Sequence, residues 1–200
     1  MKYFITGLHS SGKQEVVNIL QQMDIKCGKL FTNLDEIPDS LYNKDNFEFY
    51  SNEDINDVFE NNAYIFIHEL PILDLNFNIG KYYEGLSKYT FDQNDVFIIS
   101  PDQLLSIAPN SINENICFIW LDNTKDNRSV RYHNEKRSYN YHEREDYEKR
   151  DLNSYVKSLY SLNNSKLIYF NNEIPSRVAS VIYAMIQHPD LVDVFVKNFD

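Results

Sequence analysis

The chain has 200 residues and a mass of 23.7 kDa, a size that fits one domain carrying an insertion. Hydrophobic residues make up 42% of it and charged residues 24%, which supports a sizeable core and excludes a disordered chain. With 19 Lys+Arg against 30 Asp+Glu, the formal charge is −11. This charge disfavours nucleic acid as a partner, because its phosphates would be repelled.

Cysteine content and hydropathy indicate the compartment. Cys27 and Cys117 have no metal-ligand spacing and form no disulfide framework, so buried free thiols are expected. Neither a signal peptide after Met1 nor an apolar run of about 20 residues is present. The sequence therefore predicts a cytoplasmic protein with no membrane segment.

Five short apolar runs, rich in β-branched and aromatic residues, are typical of strands buried on both faces of a parallel sheet. The first, KYFIT, opens the chain directly after Met1. The runs occupy residues 2–6, 64–68, 96–100, 116–121 and 166–170.

Apolar residues spaced three to four apart predict helices at 14–23, 147–162 and 175–186, between and after these strands. Strands that alternate with helices favour an α/β fold of the doubly wound kind, built on a five-stranded, mainly parallel sheet.

Two regions interrupt the alternation. Residues 31–59 are polar and contain a candidate strand at 47–50, which indicates a flap inserted over one end of the sheet. Residues 125–151 are the most charged part of the chain, with eight Lys or Arg and seven Asp or Glu.

A phosphate-loop motif follows the first strand. The sequence GLHSSGKQ has the spacing G-x-x-x-x-G-K and lies between a strand and an amphipathic helix. Such a loop surrounds a phosphate with backbone N–H groups at the positive end of the helix dipole, and its lysine reaches the outer phosphates of a nucleotide. The residues predicted to surround the phosphates are Gly7, His9, Ser10, Ser11, Gly12, Lys13 and Gln14.

Gln14 stands where this motif usually has a Ser or Thr whose hydroxyl binds magnesium. Its amide oxygen would contact the metal or one of the metal's waters. The motif thus predicts nucleotide binding more directly than it predicts catalysis. His9 is expected to be an exposed loop side chain that adds one donor at most.

In the order of its features, the chain resembles the guanylate kinase family of P-loop nucleoside monophosphate kinases over nearly its whole length. The resemblance rests on the phosphate loop and on weaker matches that follow in the family's order. The weaker matches are at 29–33, 46–51, 81–87, 95–99, 102–103, 116–121 and 166–172.

The resemblance implies a single three-layer P-loop kinase domain over 1–200, with an inserted acceptor-binding flap at about 31–90 and an arginine-rich lid at about 125–151. It implies that the γ-phosphoryl group of ATP is transferred, with Mg²⁺, to a nucleoside monophosphate.

The same resemblance implies site residues. Arginine guanidinium groups on a lid would stabilise the negative charge that spreads over a phosphoryl group during transfer. The alternative is a solvated helix face, which is the more common role of such charged residues. The implied catalytic residues are Lys13, Arg131, Arg137 and Arg144, and the implied acceptor residues are Thr32, Glu69, Tyr83 and Asp102. For the last three, a solvated carboxylate, a packed surface ring and a turn residue are the respective alternatives.

The chain departs from the family on the acceptor side. Leu34 and Ile37 stand near the positions of the family's phosphate-clamping arginines, and Phe47 replaces a phosphate-binding tyrosine. Pro101 falls on the base-reading aspartate, with Asp102 one position later. The acceptor is therefore open to deoxy or modified nucleotides.

Two further functions stay open. One is a kinase acting on a base within a polynucleotide, against which the net charge argues. The other is a binding module that kept the fold and lost turnover, as Gln14 and the absent flap arginines would suggest. A homodimer also remains open, because the chain is rich in aromatic residues.

Overall fold

The structure is a computed structural model. The residues it describes are 1–34, 44–73, 79–107, 112, 115–134, 165–172 and 174–196. The helix predicted at 147–162 and two of the predicted lid arginines, Arg137 and Arg144, lie outside the described residues.

The described part of the chain contains nine strands and seven α-helices. The strands are β1 (Lys2–Thr6), β2 (Cys27–Gly28), β3 (Leu30–Thr32), β4 (Phe47–Phe49), β5 (Tyr64–Leu73), β6 (Ile79–Ser87), β7 (Val96–Ile98), β8 (Ile116–Asp122) and β9 (Ser165–Asn171). The helices are α1 (Lys13–Gln22), α2 (Asn52–Glu60), α3 (Lys88–Gln93), α4 (Pro101–Leu104), α5 (Lys125–Asn134), α6 (Pro175–Gln187) and α7 (Val192–Phe195).

The central sheet has five parallel strands in the order β2-β7-β1-β8-β9. Every residue of β1 is buried, as its continuous apolar run predicts for the middle of a parallel sheet. The chain leaves β1 toward β2 on one side and later places β8 and β9 on the other. Doubly wound sheets bind ligands at the carboxyl ends of strands where the order reverses in this way, here at β1 and β8. The predicted α/β fold class is confirmed.

The run at 64–68 was predicted to join the parallel sheet, and that prediction is wrong. It begins β5, which pairs antiparallel with β6 in a second sheet of order β4-β3-β6-β5. The fifth parallel strand is instead Cys27–Gly28, whose two residues are too few to show a hydrophobic pattern. The strand predicted at 47–50 forms at Phe47–Phe49. That the range 31–90 is an acceptor-binding flap stays a prediction.

Two apolar clusters cover the two faces of the central sheet. On one face, the ring of Phe4 stacks with the rings of Phe97 and Phe118 at centroid distances of 5.2 and 5.5 Å. This cluster continues into the second sheet through Phe66 and Leu86. The opposite cluster packs α1 and α6 on the sheet, so the sheet lies between a helical layer and a layer that contains the second sheet.

Both cysteines are free thiols, as expected, but only Cys117 is buried, and Cys27 is partly exposed. Burial raises the pKa of each thiol to about 12, so both are protonated at neutral pH and are poor nucleophiles. Among the described helices, none is long and apolar enough to cross a membrane.

Truncating Phe118 tests the aromatic stack. Its side chain is fully buried and stacks on the ring of Phe4, so Phe118→Ala should lower the free energy of unfolding by about 3–5 kcal/mol in urea unfolding. Tyr89 is 77% exposed, and Tyr89→Ala should change the same quantity by less than about 0.5 kcal/mol. Equal losses in the two variants would contradict the packing described.

Candidate functional site

The loop between β1 and α1 follows a path that only glycine permits at two points. Gly7 has a φ of 140° and Gly12 a φ of 89°, both in the region that side-chain-bearing residues avoid. A Cβ on Gly7 would lie 2.1 Å from the carbonyl oxygen of Leu121, at the end of β8. A Cβ on Gly12 would lie 2.2 Å from Nη1 of Arg131, on α5. The loop is therefore packed tightly against two other elements.

Gly12 also occupies the N-cap position of α1, where no side chain caps the helix with a hydrogen bond. The first backbone N–H groups of a helix lack partners within the helix, and they carry the positive end of its dipole. An anion held by the loop would accept hydrogen bonds from these N–H groups and would interact favourably with the positive end of the dipole.

Six buried side-chain atoms around this loop have no hydrogen-bond partner among the described residues. A buried polar group left without a partner costs on the order of 1–3 kcal/mol. Several such groups at one place indicate a site for a polar ligand that would supply the partners. The atoms are Thr6 Oγ1, Ser10 Oγ, Ser11 Oγ, Gln14 Oε1, Arg131 Nη1 and Asn172 Oδ1.

Lys13 and Arg131 supply positive charge at the loop. Nζ of Lys13 donates to the carbonyl oxygens of Gly7 (2.8 Å) and Leu8 (3.0 Å). Nη2 of Arg131 lies 3.1 Å from Oε2 of Glu15, in the first turn of α1. Of the three predicted lid arginines, Arg131 is the one within the described residues, and the structure places its guanidinium directly against Gly12.

His9 differs from its expected exposure. It is half-buried, and its ring packs edge-on against the ring of Tyr132 at a centroid distance of 5.3 Å. Sequence reasoning missed this contact because Tyr132 lies far along the chain, on α5. The contact adds a second attachment between α5 and the loop.

The amide of Gln14 is held in one orientation. Its Nε2 donates to Oδ1 of Asn18 at 2.7 Å, one helical turn further along α1. The amide oxygen is buried and, within the described residues, unpartnered. No cluster of three or more His, Cys, Asp or Glu occurs in the part of the chain that the structure describes. A magnesium ion at this loop would take Oε1 of Gln14 as a ligand alongside phosphate and water oxygens.

A polar cavity of about 270 Å³ opens beside α1 and shares Gln14 with the loop. None of the predicted acceptor residues contributes to its lining. The lining residues are Gln14, Val17, Asn18, Gln21, Cys27, Gly28, Lys29, Asp45, Asn46, Val96 and Ile98.

Three of the predicted acceptor residues lie in the second sheet, on different faces. Glu69 on β5 is directly opposite Tyr83 on β6, so these side chains share one face. Thr32 on β3 is opposite Glu84, the residue after Tyr83, and therefore lies on the other face. Glu69 is exposed, whereas Thr32 is buried. Asp102 lies in the first turn of α4. The structure thus pairs Glu69 with Tyr83 and does not bring them together with Thr32.

Two hydrogen bonds join the second sheet to α4 and to the turn that follows it. Nε2 of Gln103 donates to the carboxylate of the buried Glu84 at 2.6 Å. Nδ1 of His68, on the neighbouring strand, lies 2.9 Å from Oγ of Ser106. Sequence reasoning missed both pairs, although the capping box of Ser100 and Gln103 follows a recognisable S-x-x-Q pattern. These contacts fix the face of the second sheet that carries Thr32 against α4 and the turn that follows it.

Comparison with known proteins supports the fold alone. No protein-family model matches the chain, and no curated protein matches it. The guanylate kinase from Anaplasma phagocytophilum is similar in structure, with a TM-score of 0.54 and 11% sequence identity. The similarity covers 94% of this chain and 85% of that chain. The chain has a P-loop kinase-like fold. At this identity, the activity has to be argued from the site itself.

His68 should make stability depend on pH. Burial lowers its pKa below the usual 6.5, and the nearby carboxylate of Asp102 opposes this shift only in part. The unfolded chain then binds the proton more readily, so the stabilisation is present above 6.5 and is lost as the pH falls through the lowered pKa. Urea unfolding at about pH 7.5 and about pH 5.5 should show a larger loss in the wild type than in His68→Gln. Equal losses would contradict a half-buried His68 whose pKa is lowered in the folded protein.

Proposed function

We propose that this protein is a nucleotide kinase. It would transfer the γ-phosphoryl group of ATP, with magnesium, to a nucleoside monophosphate. The observation that carries the proposal is the cluster of unpartnered polar atoms at the loop, together with the guanidinium of Arg131 against Gly12. The P-loop kinase-like fold supports it, since the loop lies at the carboxyl end of the central strand.

The donor phosphates would occupy the loop. Backbone N–H groups at the start of α1 and the hydroxyls of Ser10 and Ser11 would donate to phosphate oxygens. Lys13, which reaches the loop's own carbonyls, needs only to turn toward the anion to bind its outer phosphates. Gly7 and Gly12 keep the backbone close enough for these contacts. His9 supports the loop through Tyr132.

Arg131 would stabilise the phosphoryl group during transfer. The charge that develops on that group is spread over its equatorial oxygens, and a planar guanidinium can engage two of them. Nη2 is held by Glu15 while Nη1 points into the loop, so the group is oriented before the reaction starts. Arg137 and Arg144 remain proposed lid residues on the sequence argument.

Magnesium would be held partly by Gln14. The bound ion neutralises phosphate charge and orients the donor. Gln14 offers Oε1, which its bond to Asn18 leaves directed away from that neighbour. An amide oxygen is a neutral ligand, as the hydroxyl usual at this position is, so the exchange preserves the charge of the site.

The acceptor would bind at the second sheet. We propose Thr32 and Asp102 for the side of the sheet that meets α4, and Glu69 with Tyr83 for the opposite face. Because these pairs lie on different faces, a single acceptor would contact one pair directly. A deoxy or modified nucleotide stays within the proposal, since Leu34 stands near the position of a clamping arginine.

A non-catalytic binding module is the second candidate function. The ion pair between Arg131 and Glu15 favours it, because a guanidinium neutralised by a carboxylate on α1 is less available to phosphate. The same loop would then bind nucleotide without turnover. For either function the cytoplasm is the proposed location, in keeping with the two free thiols. Homodimerisation and action on a base within a polynucleotide stay predictions.

A phosphorylation screen with Mg²⁺-ATP over all ribo- and deoxynucleoside monophosphates tests the proposal. Lys13→Ala should weaken ATP binding and lower kcat/KM by about 10²–10³-fold, since the outer phosphates lose their point charge. Arg131→Ala should lower kcat by a similar factor with a smaller change in ATP affinity. Lys88→Ala, at an exposed position on α3, is the matched control and should behave as the wild type.

The outcomes separate the two functions. Transfer to one acceptor that depends on Lys13 and Arg131 supports a kinase. Silence on every acceptor with intact, Lys13-dependent ATP binding supports the binding module. ATP binding that survives Lys13→Ala unchanged would contradict both, because the loop would then not be the phosphate site.

A further inference from the structure

Three asparagines form a hydrogen-bonded chain from α5 to the phosphate loop. We call Asn127, Asn123 and Asn172 the asparagine relay. Asn127 lies in the first turn of α5, Asn123 follows β8 and Asn172 follows β9. The relay therefore joins three elements at the carboxyl edge of the central sheet.

Asn123 is the centre of the relay and is buried. Its Oδ1 accepts from Nδ2 of Asn127 at 3.0 Å and from the backbone N–H of Thr124 at 2.8 Å. Its Nδ2 donates to the carbonyl oxygen of Asn172 at 2.8 Å. A side-chain amide both accepts and donates hydrogen bonds, so this one residue fixes both the start of α5 and the end of β9.

Asn172 carries the connection to the loop. It is fully buried, and its backbone N–H donates to the carbonyl oxygen of Asp122 at 2.7 Å. Its Nδ2 donates to the carbonyl oxygen of Ser11 at 2.7 Å, across 161 residues of sequence. The loop is thereby held to the last strand of the sheet.

The relay and Arg131 meet at a single point. A Cβ on Gly12 would lie 2.5 Å from Nδ2 of Asn172 and 2.2 Å from Nη1 of Arg131. Arg131 lies on α5, whose first turn Asn123 and Asn127 hold. The same hydrogen-bonded chain thus fixes the start of α5 and the loop that the Arg131 side chain of α5 contacts.

We propose that Asn123 and Asn172 are positioning residues that hold the guanidinium of Arg131 at the phosphate loop. Their effect on catalysis rests on the proposed kinase function, whereas their effect on the placement of α5 does not. Removing a link would let α5 shift relative to the loop. A misplacement of about 1 Å at a reacting group costs up to about 10²-fold in rate.

The experiment is a double-mutant cycle between the relay and Arg131. The variants are Asn172→Ala, Asn123→Asp and Arg131→Ala, alone and combined. Asn123→Asp keeps the acceptor and removes the donor to Asn172. Asn61→Ala is the matched control, because Asn61 also bonds a backbone carbonyl but lies at the end of α2. Phosphoryl-transfer rate, KM for ATP and ATP affinity are measured for each protein.

The relay variants should lower kcat by about 10–10²-fold, and Asn123→Asp, which leaves the side chains at the loop intact, should change the KM for ATP by less than about threefold. In the Arg131→Ala background they should have no further effect on kcat, since the group they position is gone. Losses that multiply independently of Arg131 would overturn the proposal. So would a relay variant that matches Asn61→Ala in every measurement.

Amide hydrogen exchange on the same proteins, without nucleotide, gives a second measurement. Asn172→Ala should speed exchange in the loop at 7–12 and in the first turn of α5 together, and should leave α6 unchanged. Faster exchange confined to 165–172 would overturn the proposal. If the wild type transfers no phosphoryl group, the kinase function fails, while the exchange result still decides whether the relay positions α5.

Discussion

The close approach of three elements at Gly12 is the constraint on which the site depends. The positive φ of this residue turns the chain from β1 into α1, and the space where a Cβ would stand is taken by Arg131 and Asn172. The start of α1, the helix α5 and the end of β9 can therefore come together only around a glycine. The same crowding puts the uncapped helix end, a lysine and a guanidinium within one small volume, which is the chemistry a polyphosphate requires.

The second physical feature of the site is a set of buried polar atoms with no hydrogen-bond partner among the described residues. The hydroxyls of Ser10 and Ser11 and the amide oxygens of Gln14 and Asn172 lie inside the protein with no bond among the described residues. Leaving these buried atoms without hydrogen bonds destabilises the folded protein. A ligand that carries many acceptors, together with bound water or metal, would supply the missing partners at the phosphate loop. The proposed function starts from this surplus of polar groups.

The sequence predicted the features of the fold that depend on local residue patterns. The continuous apolar run of β1, the amphipathic α1 and the glycine spacing of 7–12 are short-range signals, and they gave the fold class and the position of the loop. The run at 64–68 failed because an apolar strand does not reveal which sheet it joins, and the two-residue β2 has no pattern to detect. Contacts such as that of Asn172 with Ser11 could not be predicted from the sequence, since they depend on tertiary packing.

The central claim is that the loop binds a polyphosphate through its backbone, Lys13 and Arg131, and calorimetric titration of the wild-type protein tests it most directly. ATP, ADP, AMP, adenosine and inorganic triphosphate would be titrated in the presence of Mg²⁺. The account predicts that affinity falls from ATP through ADP to AMP, and that inorganic triphosphate displaces ATP, because the site recognises phosphate charge. Adenosine binding as tightly as ATP, with no competition from inorganic triphosphate, would contradict the account.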